Sequence, residues 1–127
     1  MIPSWIQGHG LEAWTQLFFA FAIGHAVADF ALQTEFLARG KNRHLAPPAG
    51  ELHSRHLWLY CLTAHALIHA GAVWVISGCA GLAVAELLLH WLIDWAKTEK
   101  KLGFHGDQAL HLICKAVYAA ILLPAPF

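Results

Sequence analysis

Charged residues are scarce in this 127-residue chain, and long apolar runs take their place. Only 13% of the residues are Asp, Glu, Lys or Arg, whereas a soluble domain usually has about 25%. Hydrophobic residues make up 58%, and the formal net charge is zero with neutral histidines. The net charge therefore gives no electrostatic reason to expect nucleic-acid binding. Length and composition predict a single domain, residues 1–127, that lies in a membrane.

Cysteine is also rare, and its spacing excludes the common thiolate sites. Cys61, Cys79 and Cys114 form no CxxC pair and lie in or beside apolar segments. We therefore interpret all three as small buried apolar residues and not as a disulfide framework.

Four apolar segments account for most of the chain. They span about 11–38, 56–77, 81–97 and 107–123. A membrane-spanning helix needs roughly 17–25 residues, which the first two segments reach readily. Pro47, Pro48 and Gly50 interrupt any helix between the first two segments, and Gly78 with Gly81 predicts a tight turn before the third. The pattern predicts an all-α fold, a bundle of four transmembrane helices with up-down-up-down topology.

Basic residues are confined almost entirely to two connections between these segments. They are Arg39, Lys41, Arg43 and Arg55 in the first connection, and Lys97, Lys100 and Lys101 around the third. By the positive-inside rule both connections are cytoplasmic, so both termini are predicted to be non-cytoplasmic. We interpret Lys41 and Lys97 mainly as topology signals and contacts to lipid phosphates.

Each apolar segment contains two side chains of metal-ligand type, four residues apart. The pairs are His25 with Asp29, His65 with His69, His90 with Asp94, and Asp107 with His111. This spacing places both members of a pair on one helix face. Counting 1.5 Å per residue from the basic connections places all four pairs in the cytoplasmic half of the membrane. Ionisable residues inside a membrane indicate a functional site, so we predict that these eight side chains form one metal centre.

Five histidines and three aspartates suit zinc best, with iron or manganese as alternatives. Eight candidates exceed the needs of one tetrahedral ion. Either two ions bind, or some of the eight orient the ligand imidazoles. A structural role stays open for single members, because a buried histidine often only hydrogen-bonds a neighbour. Asp107 could also stabilise a helix N-terminus through the helix dipole.

Two further ionisable residues extend these pairs by one helical turn. Glu86 precedes His90 by four residues, and Lys115 follows His111 by four. Glu86 is predicted to be a general base, a bridging ligand or a partner within the polar network. Lys115 is predicted to steady an anionic substrate, although it could instead pair with a carboxylate or extend toward the membrane surface.

The ordered set of pairs resembles one bacterial protein family. The sequence carrying the resemblance is His25-Ala-Val-Ala-Asp29, His65-Ala-Leu-Ile-His69, His90-Trp-Leu-Ile-Asp94 and Asp107-Gln108-Ala-Leu-His111. Over about residues 17–122 the chain resembles the small inner-membrane proteins grouped as domain of unknown function 3307. The resemblance implies a multi-pass protein of the bacterial inner membrane but implies no reaction. A looser likeness to membrane-bound metal-dependent hydrolases has no residue-by-residue match.

The site predicts a metal-dependent hydrolase that cleaves an ester or phosphoester of a lipid-like substrate at the cytoplasmic face. A di-iron oxidoreductase acting on an acyl chain would have similar ligands. A metal-binding or transport protein without catalysis is a third possibility, although transport favours ligands spread along a path. Paired histidines could also bind haem, which would not need three aspartates. Membrane lipids are the expected partners.

Overall fold

The computed structural model describes residues 3–45 and 55–123. Within these residues the chain forms five α-helices and one π-helical turn, and no strand. In chain order these are α1 (Leu11–Ala26), the π-turn (Val27–Ala31), α2 (Glu35–Gly40), α3 (Leu57–Ser77), α4 (Ala80–Thr98) and α5 (Phe104–Leu122). The predicted all-α class is confirmed.

The four long helices enclose a common interior. Helix α1 packs against α3 and α5, and α4 packs against the same two helices, while short α2 lies on α3. Gly78 ends α3 in the left-handed conformation, with φ of 66°, which allows the tight turn into α4. An apolar core that includes Leu17, Phe21, Val73 and Tyr118 fills one part of this interior. The rest of the interior holds ionisable side chains together with apolar residues such as Leu62 and Ala66.

The first apolar segment is not one helix, so the prediction of a continuous 11–38 element is wrong. Helix α1 ends at Ala26, and the backbone N–H of Leu32 then donates to the carbonyl of Val27 at 3.0 Å, the five-residue step of a π-turn. Helix α2 begins after Thr34, whose hydroxyl accepts from the Leu37 N–H at 3.3 Å. Residues 27–34 contain neither Gly nor Pro, so the composition gave no sign of the break.

The other boundaries lie close to the predicted ones. Helices α3 and α4 begin and end within one residue of prediction, although Gly81 lies inside α4 and not in the turn. Helix α5 begins at Phe104, three residues before the predicted start. The helix-breaking Pro47, Pro48 and Gly50 lie outside the described residues.

Among the described helices, α3 alone is long and apolar enough to cross a membrane, with a mean hydropathy of 1.6. The core helix of a soluble protein can meet the same criterion. Helices α4 and α5 each have 19 residues, but they carry several ionisable side chains. One helix could therefore cross a membrane by its length and composition, and the bundle of four spans stays a prediction.

The two basic connections lie at the same end of the molecule. Arg43, after α2, forms an ion pair with Glu99, after α4: Nη2 donates a hydrogen bond to Oε2 at 2.9 Å, and Nε lies 2.8 Å from Oε1. The ring of His44 lies 3.1 Å from the same carboxylate. These contacts, those of Arg43 above all, lower the pKa of Glu99 below its ordinary value. The position of both basic connections at one end of the molecule agrees with the predicted topology. The side of a membrane on which these connections lie stays a prediction.

Candidate metal centre

All eight predicted ligands come together in one cluster inside the bundle. Their donor atoms form three overlapping groups, in each of which the atoms lie within 4.8 Å of one another. The groups are Asp29, His65, His69 and His90; His25, His90 and His111; and Asp94, Asp107 and His111. Because His90 and His111 each belong to two groups, the cluster is continuous from α1 and the π-turn through α3 and α4 to α5.

The first group, which we call the quartet, consists of Asp29, His65, His69 and His90. Asp29 Oδ1 lies 3.1 Å from His69 Nε2 and 3.3 Å from His65 Nε2. The rings of His69 and His90 are stacked with centroids 3.6 Å apart. The three histidines are at most 1% exposed, whereas the side chain of Asp29 is 13% exposed. The quartet is therefore a buried set of donors that approaches the surface only at Asp29.

Asp29 is held in position through its second oxygen. Gln108 Nε2 donates to Asp29 Oδ2 at 3.1 Å, and His25 Nε2 lies 3.4 Å from both that oxygen and Gln108 Oε1. Oδ1 is therefore turned toward His65 and His69. Gln108 is not among the predicted site residues, although its position beside Asp107 could have suggested a role.

His90 is oriented by a buried ion pair. Its Nδ1 lies 3.2 Å from Glu86 Oε1, and the same oxygen accepts from Lys115 Nζ at 2.5 Å. A carboxylate only accepts, so the proton of a neutral His90 lies on Nδ1 and its Nε2 presents a lone pair. Glu86 and Lys115 are each 1% exposed. Of the roles predicted for Lys115, the structure therefore shows the one in which it pairs with a carboxylate.

On the other side of the cluster, Asp94 and Asp107 each have a lysine partner. Lys41 Nζ donates to Asp94 Oδ2 at 2.6 Å, and Lys97 Nζ donates to Asp107 Oδ2 at 2.5 Å. His111 Nε2 lies between the remaining oxygens, 3.3 Å from Asp94 Oδ1 and 3.4 Å from Asp107 Oδ1. Interpreting Lys41 and Lys97 mainly as topology signals was therefore wrong for their ammonium groups, which contact carboxylates of the cluster.

Most of the unsatisfied buried polar atoms in the described part of the chain belong to this cluster. They are His25 Nδ1, His65 Nδ1 and Nε2, His69 Nδ1, His90 Nε2 and Asp107 Oδ1, beside Gln33 Oε1 and Tyr118 Oη elsewhere. Buried polar atoms are almost always hydrogen-bonded, and each exception costs about 1–3 kcal/mol. A bound cation would give His65 Nε2 and His90 Nε2 a partner, so the donor set fits a metal ion.

The cysteines take no part in these groups. Cys61 is buried, Cys79 and Cys114 are partly buried, and all three are free thiols. Their interpretation as small apolar residues is confirmed for Cys61 and agrees with the partial burial of the other two. The donor set is one of nitrogen and oxygen, as the sequence predicted.

Fold and site together define an all-helical protein with a cluster of histidines and carboxylates between its helices. A sequence model described as "Protein of unknown function (DUF3307)" matches residues 17–125. The chain belongs to this family. No curated protein and no solved structure matches the chain. Its function must therefore be argued from the site.

Proposed function

We propose that the chain is a membrane-embedded, metal-dependent hydrolase that cleaves an ester or phosphoester of a lipid-like substrate. The observation that carries this proposal is the quartet, in which three buried histidines and one carboxylate converge while His65 Nε2 and His90 Nε2 have no hydrogen-bond partner among the described residues. Such a set is costly to bury for structural reasons alone. It is the ligand set of a metal ion, with zinc favoured and iron or manganese as alternatives.

The placement of polar and apolar side chains supports a membrane location. Lys115 and Glu86 are 1% exposed, whereas Phe19, Val75 and Leu88 are 65%, 87% and 60% exposed. Soluble proteins almost never bury Lys or Glu fully unless the two are paired, as they are here, and they seldom expose large continuous apolar surfaces. A polar interior within an apolar exterior suits a surrounding of lipid chains, with the four long helices as the proposed spans.

In the proposed site, the ion would activate water and substrate, and neighbouring residues would orient its ligands. A bound divalent ion would polarise a carbonyl or phosphoryl oxygen and lower the pKa of water to about 7. Gln108 and His25 hold Asp29, and Glu86 holds His90, so two of the four ligands are oriented before an ion arrives. This pre-orientation is typical of sites that keep their geometry during a reaction.

Asp107 is the candidate general base among the carboxylates outside the quartet. Its Oδ1 is buried and has no hydrogen-bond partner among the described residues, whereas its Oδ2 accepts from Lys97. Glu86 Oε1 contacts both Lys115 and His90, so that oxygen is already engaged. We therefore assign proton transfer to Asp107, and we assign to Glu86 and Lys115 the task of holding His90.

An apolar groove beside the quartet supports a substrate with an acyl chain. The groove has a volume of ≈ 320 Å³ and lies between α3 and the end of α1 with the π-turn. Its lining includes Ala28 and Ile68, which directly precede Asp29 and His69, and it continues past Gly71 to Val75. From Ile68 to Val75 the helix rises about 10 Å. An extended chain could therefore lie in the groove with its polar end at Asp29.

A di-iron oxidoreductase is the second candidate, because the three overlapping donor groups offer enough ligands for two ions.

The hydrolase is tested by loading the purified protein with zinc, incubating it with bacterial lipid extract, and looking for cleaved head groups or released acyl chains by mass spectrometry. Asp29→Asn should abolish product formation, while His9→Ala, outside the cluster, should not. Turnover that requires iron, oxygen and a reductant would favour the oxidoreductase, and no turnover with any metal would refute both enzymes.

A further inference from the structure

We propose that the centre is mononuclear, with its single divalent ion held by Asp29, His65, His69 and His90. The other carboxylates of the cluster keep their lysine partners and do not bind metal. This inference rests on the metal dependence proposed above but not on hydrolysis.

The charges of the cluster nearly cancel before any ion is added. Four carboxylates face three ammonium groups in the described residues, so one negative charge is left while the histidines are neutral. The carboxylate without a lysine partner within the described ranges is Asp29. One divalent ion would change the net charge to one positive, and two would change it to three positive. Since uncompensated charge is costly to bury, the cluster accommodates one ion far better than two.

The distances around Asp29 already approach those of a coordination sphere. Zinc bonds of about 2.0–2.1 Å in a tetrahedron place neighbouring ligand atoms roughly 3.3–3.4 Å apart. Asp29 Oδ1 lies 3.1 Å from His69 Nε2 and 3.3 Å from His65 Nε2. His90, stacked on His69, supplies the fourth donor through its unpaired Nε2. Contraction of this group, whose donor atoms lie within 4.8 Å of one another, would give the ion three nitrogens and one oxygen, and hydrolysis would then need a water molecule as a fifth ligand.

The other two donor groups are less suited to an ion. His25, His90 and His111 include no carboxylate, and they share His90 with the quartet. In the third group an ammonium group already lies 2.6 Å from Asp94 and another 2.5 Å from Asp107. A metal ion there would be placed close to two positive charges. Lys41 and Lys97 thus keep the second half of the cluster free of metal.

The first test is the number of zinc ions per chain in wild-type protein that has been loaded with excess zinc and then dialysed. Elemental analysis, with protein quantified by amino-acid analysis, should give one ion. X-ray absorption at the zinc edge should show ligands at about 2.0–2.2 Å and no metal–metal distance. Two ions per chain, or a zinc–zinc distance, would overturn the inference, and neither measurement depends on a variant that has to fold.

Matched substitutions then locate the ion. Asp29→Asn should lower zinc affinity by more than the about 10–100-fold that loss of an orienting partner costs. Asp107→Asn, an equally conservative change in the same cluster, should retain one ion. Equal losses in both variants would contradict the assignment. One ion without lipid cleavage would refute the hydrolase and leave this inference standing. Two ions with cleavage would refute this inference and support the hydrolase.

Discussion

Substitution of Lys115 by Met tests the idea that the buried ion pairs stabilise the cluster. Lys115 Nζ and Glu86 Oε1 are 2.5 Å apart, and both residues are 1% exposed. Met preserves most of the side-chain volume, so the main change is a buried carboxylate left without its counter-charge. Removing one partner of such a pair usually destabilises a protein by about 3–5 kcal/mol. We expect a loss of that size in the free energy of unfolding.

A double-mutant cycle separates the ion pair from packing. Glu86→Gln removes the second charge and keeps an oxygen that can accept from His90 Nδ1. The double variant Glu86→Gln with Lys115→Met should therefore be more stable than Lys115→Met alone. Unfolding can be followed by circular dichroism during a denaturant titration in detergent, with the exposed Lys100→Met as the surface control, expected within about 0.5 kcal/mol of wild type. If the double variant is no more stable than Lys115→Met, the stranded charge is not the cause and the reasoning fails.

Three other changes test separate parts of the structure. Gln108→Ala should lower zinc affinity by about 10–100-fold, measured by competition with a chelator, because Asp29 Oδ2 loses its donor; unchanged affinity would mean that the contact does not orient Asp29. Gly71→Leu should slow cleavage of long-chain but not short-chain esters, because a Cβ at Gly71 meets no described atom within 4 Å and the added side chain would enter the groove; equal rates would exclude the groove as the chain site. The lowered pKa of Glu99 means that its contacts with Arg43 stabilise the fold above the unfolded pKa near 4.5, and that this contribution is lost as pH falls through the folded pKa. In an acid titration, the free energy of unfolding of Glu99→Gln should therefore be lower than that of wild type above that range and equal to it below.

The ligand pairs could be predicted from sequence because their geometry is local. A spacing of four residues places two side chains on one helix face whatever surrounds the helix. The pairs His65 with His69 and His90 with Asp94 therefore appear in the structure as predicted, on helices whose ends were predicted within one residue. Their convergence followed from counting equal depths from the basic connections.

The partners Lys41 and Gln108 could not be predicted, because they are distant in sequence from the ligands that they contact. Lys41 contacts Asp94 across 53 residues of sequence, and Gln108 contacts Asp29 across 79. Composition alone cannot distinguish a lysine that faces phosphate groups from one that enters the bundle. The π-turn at Asp29 could not be predicted either, since residues 27–34 contain no Gly or Pro.

The lysines also explain how so many carboxylates can lie inside a protein with an apolar exterior. Each of Lys41, Lys97 and Lys115 contacts one carboxylate, and each comes from a different helix or connection than its partner. The bundle can therefore close around a nearly neutral interior, and the remaining negative charge is concentrated at Asp29. A cation that enters is attracted to that one carboxylate, beside the histidines whose nitrogens are unsatisfied. The same contacts that make the fold possible would thus select the position of the ion.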